Sequence, residues 1–151
     1  MSSRLLAPAL IVVAALALAL VPGPRSAAMG APHDAGKDID RAMKTIEESL
    51  EKLTEIVGEK DKVKESLEEV LKLEKAFMDC KIAEPHKAEK LEGKDKEKLL
   101  REYREMNIEA LKVVLDLEIA VINGKLPKAK KLVNTIKAYE GKGHGKFREK
   151  G

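Results

Sequence analysis

Few side chains in this sequence offer a metal ion a soft or borderline donor. The soft or borderline donors are three histidines, His33, His86 and His144, a single cysteine, Cys80, and five methionines, among them Met43. No two of the histidines and the cysteine stand at a close chelating spacing, and there is no Cys-x-x-Cys-His, so haem attachment of the covalent c type is excluded. His144 stands apart through its setting, "YEGKGHGKFREKG", where Gly141, Gly143 and Gly145 alternate around it. Glycine inside a helix costs roughly 1 kcal/mol against alanine. Either the tail is a loose terminus, or the glycines leave room beside the histidine.

The elements that would position these donors are read from apolar spacing. Ile39, Met43, Ile46, Leu50, Leu53 and Val57 recur every three or four residues, which predicts a first helix from Asp38 to Gly58. Val63, Leu67, Val70, Leu71, Phe77 and Met78 mark a second, expected to end shortly after Cys80 because Pro85 disfavours helical geometry at Glu84. A third carries Leu99, Leu100, Tyr103, Met106, Ala110, Leu111, Val114, Leu117 and Val121 and stops at Asn123-Gly124. The last begins near Leu126-Pro127 and runs through Ala129, Val133, Ile136 and Tyr139. Strands have no claim, because helix formers dominate and a period of two is absent.

Short connections at Gly58 and Asn123-Gly124 predict an all-α fold, an antiparallel up-down-up-down four-helix bundle. In that topology the start of the first helix, the connection from 83 to 93 and the end of the last helix share one end. Met43 lies about one turn inside the first helix. His144 falls within about 20° of Val133 on a helical wheel, on the core stripe. A methionine and a histidine then point inward at the same end. Together they make an axial pair for haem iron, suited to one-electron transfer because neither coordination position is left open. Taken singly, Met43 reads more readily as core filler than as a ligand and His144 as a surface or satisfied histidine; their convergence at one end is what points to a site.

The chain opens with Arg4, an apolar run from Leu5 to Val21, a Pro-Gly-Pro break and Ser26-Ala27-Ala28. That order predicts a secretory signal peptide over residues 1–28, with an uncleaved anchor as the alternative, and a flexible segment over 29–37 ahead of a domain from 38 to 151. Removing Arg4 and Arg25 takes the formal net charge from +3 to +1. The remaining lysines interleave with glutamates at helical spacing, which predicts solvated faces and gives no reason to expect nucleic acid as a partner. No nucleophile motif or phosphate loop occurs, and Glu74 and Asp79 read as solvated face residues, so no enzymatic chemistry is expected.

Over residues 38 to 148 the sequence resembles the soluble cytochrome b562 family, exported four-helix haem proteins. The likeness rests on "DIDRAMKTIEESLEKL", with an axial methionine at Met43, and on "NGKLPKAKKLVNTIKAYEGKGHGKFR", which runs without a gap to an axial histidine at His144. Phe147 and Arg148 match the aromatic and basic residues that follow that histidine; Tyr103 matches a pocket phenylalanine, and Pro85 a proline of the connecting loop. Two positions depart: a second pocket phenylalanine falls at Asn107, and an arginine lining the haem falls at Glu140. The resemblance implies one noncovalent haem b (iron protoporphyrin IX), electron transfer with an unidentified redox partner protein, a periplasmic location, no membrane association after cleavage, and a monomer. It also favours the second reading of the glycines: Gly141, three residues before His144, would clear space for the porphyrin edge.

Two other readings stand beside it. His33, His86, His144, Cys80 and Met43 belong to segments near one end of the bundle and would suit copper(I) in an exported protein without haem. A purely structural helical protein would need none of them as ligands.

Overall fold

The computed structural model describes residues 35–148; the signal peptide expected over 1–28, His33 and residues 149–151 lie outside the described residues. The described chain is all helical, with four long helices and no strand. Helix α1 is Ala35–Ile56, α2 Val63–Ile82, α4 Gly93–Ile122 and α5 Leu126–Phe147; a 3-10 turn at Lys60–Lys62 leads into α2, and a single-turn helix α3, His86–Glu89, lies between α2 and α4. Because α1 starts at Ala35, ahead of Asp38, the last positions of the segment expected to be flexible are helical. α1 packs on α2, α2 on α4 and α4 on α5, while α5 also touches α1. No described helix is long and apolar enough to cross a membrane.

In α1 the apolar stripe does what its spacing requires, for Ile39, Ile46, Leu50 and Leu53 are all buried, as is Val57 just past its end. α2 differs from the expectation. Leu71 and Met78 are 54% and 44% exposed, while Ser66, Glu69, Val70, Leu73, Ala76, Phe77 and Cys80 form the buried face. Small and polar residues occupy four of those seven positions, so hydrophobicity alone selects the wrong ones. Glu69 is tolerated there because its carboxylate accepts hydrogen bonds from Ser49 Oγ at 3.1 Å, Lys52 Nζ at 2.9 Å and Lys72 Nζ at 2.9 Å. Burial pushes its pKa up, but the lysine and serine bonds outweigh this and hold it below the usual carboxylate range. Glu74 is a further correction: it is half-buried rather than solvated, one carboxylate oxygen is buried without a partner, and burial with Glu118 nearby raises its pKa.

The helix ends follow local chemistry. Ala83, the residue after α2, is extended (φ −77°, ψ 162°), and its N–H closes the helix onto Asp79 O and Cys80 O, both at 3.2 Å. α4 ends in a Schellman arrangement, with Gly124 N–H on Val121 O at 3.0 Å and Lys125 N–H on Ala120 O at 2.8 Å. Gly124 makes this possible with φ +64°, in the left-handed region. α5 carries Pro127 in its first turn and stays helical through Gly141, Gly143 and Gly145.

Candidate cofactor site

A cavity of about 540 Å3 opens where α1, the Pro85-His86 link, α4 and the end of α5 meet. Met43, Pro85, Tyr103, His144 and Arg148, drawn from four separate places in the chain, all line it. Much of the wall is apolar or aromatic, with Ile39, Ile46 and Phe77 on one side and Tyr103, Tyr139 and Phe147 on the other. Phe147 is buried and meets Tyr103 edge to face.

Met43 is half-buried, and its Sδ lies 3.7 Å from Cys80 Sγ, which donates to it. Cys80 is completely buried and is not part of the cavity wall, so it approaches Met43 from the core. Burial pushes the thiol pKa up to about 11. The Tyr103 hydroxyl is buried with no hydrogen-bond partner, and burial raises its pKa too, with the Cys80 thiol as a neighbour. Asn107 is buried, and its Nδ2 donates to Tyr103 O at 2.9 Å. It forms part of the cavity wall.

His144 keeps its ring 34% exposed at the cavity wall, with Nδ1 3.9 Å from Glu140 Oε1, one turn earlier on α5. The cavity face of α5 runs through Tyr139, Glu140, Gly143, His144 and Phe147. Gly141 is not on it. That glycine is exposed, and a Cβ added there would meet nothing within 4 Å, so the space expected beside it belongs to solvent. Gly143 is the glycine that borders the cavity, where a Cβ would meet Met106 Sδ at 3.8 Å, an ordinary contact. Gly143 directly precedes His144, and Glu140 and Phe147, four before and three after it, share the wall, while Gly141 does not.

The rim is charged. Asp40, Lys44, Glu47, Glu140 and Arg148 border the cavity, and His86 joins them with Nε2 3.1 Å from Asp40 Oδ1 and Nδ1 3.3 Å from Glu89 Oε1. The Asp40 carboxylate raises the His86 pKa, burial works against it, and Glu89 adds to the rise. Asp40 and Glu47 were not among the expected site residues, although a spacing of three and four from Met43 would have found them. Of the donors in the copper reading, Cys80 touches Met43, while His86 is engaged by two carboxylates; no described group of three or more His, Cys, Asp or Glu side chains is arranged to hold a metal ion.

The residues fit a haem. A thioether and an imidazole from different helices border one cavity, its volume is within the range of about 300–1,000 Å3 usual for small-molecule sites, and its walls offer aromatic faces to a flat macrocycle. Compared with known proteins, the chain matches no protein-family model and no curated protein.

Proposed function

We propose that this protein is an exported, soluble b-type cytochrome, a one-electron carrier that holds a single haem b noncovalently, of the cytochrome b562 kind. The observation that carries the reading is the meeting of Met43 and His144 at one largely apolar cavity. The packing of each long helix on the next, with short links after α1 and after α4, supports an antiparallel up-down-up-down bundle as its frame. The charge at Arg4, the apolar run from Leu5 to Val21 and Ser26-Ala27-Ala28 are the sequence features that support export to the periplasm.

Met43 and His144 would hold the iron, and Tyr103, Phe77 and Phe147 would cover the porphyrin and keep water from it. Arg148 and Lys44 offer cationic groups at the rim for the haem carboxylates. Haem bound between a thioether and an imidazole supplies reversible one-electron chemistry with no open position, which favours electron transfer over catalysis. The electron is exchanged with a partner protein. Absorption spectra of the purified mature protein, before and after saturation with haemin, test this. Sharp reduced bands of six-coordinate low-spin iron are expected, and their absence at saturation would overturn the proposal.

A further inference from the structure

Cys80 stands behind Met43 in an arrangement that the haem reading alone does not explain. The thiol is completely buried, does not border the cavity, and donates to Met43 Sδ across 3.7 Å. A thioether sulfur has two lone pairs. With one engaged from the core side, the other is left for the cavity side, where Met43 forms part of the wall. Tyr103, whose hydroxyl neighbours the same thiol, is an O–H donor and leaves the S–H for Met43. We propose that Cys80 is a positioning residue for Met43: its S–H fixes the direction of the thioether and withdraws electron density from it, setting how strongly the sulfur donates to a bound iron.

The inference rests on the haem reading and adds a direction to it. A hydrogen bond donated to a ligand sulfur weakens its donation, and ferric iron depends on donated charge more than ferrous iron does. Cys80 therefore favours the reduced state and raises the potential. Without the S–H, ferric iron gains relative to ferrous iron.

The test compares three haem-loaded mature proteins, the parent, Cys80→Ala and Cys80→Ser, by spectroelectrochemical titration and by the Met43 methyl resonance in the reduced state. Serine keeps a donor and alanine does not, while both remove similar volume. Cys80→Ala is expected to shift the ferric-to-ferrous preference about tenfold, a fall of about 59 mV for a one-electron couple, and Cys80→Ser to stay within about threefold of the parent. Met43 should remain the ligand in all three. If alanine and serine give the same potential, the proposal fails while the haem reading stands. A parent with no low-spin bands overturns the haem reading, and the proposal with it. Should Cys80→Ala not fold, Cys80→Val retains apolar volume and is held to the same expectation.

Discussion

The ring of Phe147 stands edge-on to that of Tyr103, with centroids 5.1 Å apart and planes at 75°. This contact fastens the end of α5 to α4 just beyond three glycines that favour the unfolded chain. Further ties are Lys146 to Glu102 at 2.9 Å and Lys87 Nζ to Lys146 O at 3.0 Å, both at partly exposed or exposed positions that water weakens. Replacing a well-packed phenylalanine by alanine costs about 3–5 kcal/mol, more than the final turns can supply from their own contacts. Phe147→Ala should release the helix locally. Hydrogen exchange should become fast from about Glu140 onward, with protection in α1, α2 and α4 retained, and haem affinity should fall at least about tenfold.

The two expected ligands should fail differently. His144→Ala removes the nitrogen donor and should abolish or severely weaken the low-spin spectrum. Met43→Ala leaves the apolar walls and one ligand in place, so haem should still bind but with high-spin iron. Equal spectra from parent and both variants would show that neither side chain reaches the metal.

Substitution at the glycines should sort by face. Gly143→Leu fills space at the cavity wall and should weaken haem binding, whereas Gly141→Leu projects into open solvent and should leave it within about threefold. Gly141→Ala and Gly145→Ala each stabilise the helix by up to about 1 kcal/mol, visible as greater helix content and slower exchange in the haem-free tail. A haem affinity lost with Gly141→Leu and kept with Gly143→Leu would contradict the described face of α5.

His86 supplies a pH dependence. Its folded pKa is raised, chiefly by Asp40, above the ordinary value near 6.5. Protonation is therefore favoured by folding. The resulting stabilisation is full below about pH 6.5 and is lost as the pH rises through the folded pKa. With 37% of the ring exposed, solvent and salt screen much of it. NMR titration should place His86 above a free histidine, and Asp40→Asn should bring it back down and flatten the loss of stability as the pH rises past its ordinary value.

Much of this architecture is legible in the sequence because its punctuation is strong. Gly58, Pro85, Asn123-Gly124 and Pro127 bound the helices close to where the structure ends or begins them. Met43 and His144 were identifiable from periodicity joined to topology, and both border the cavity. The core face of α2 was not legible, since Ser66, Glu69, Ala76 and Cys80 carry little hydrophobic signal and only their neighbours make burial tolerable. The single turn α3 escaped for another reason. Four residues after a proline have no periodicity to detect, and their order comes from contacts such as His86 with Asp40, on α1.

The buried carboxylate of Glu69 has a consequence for how α1 and α2 are aligned. Its oxygens accept from Ser49 and Lys52 on α1 and from Lys72 on α2, while the Glu69 side chain itself is only 5% exposed. Leucines and valines tolerate a slip of one helical turn, about 5.4 Å, because one apolar neighbour serves much like the next. A carboxylate does not. Moved one turn along α1, it would lose the serine and one lysine and remain a desolvated charge, or else take up a proton. Glu69 thus acts as a vernier mark between the first two helices, and since Met43 rides on α1 while Cys80 rides on α2, the same mark sets the height at which their sulfur atoms meet.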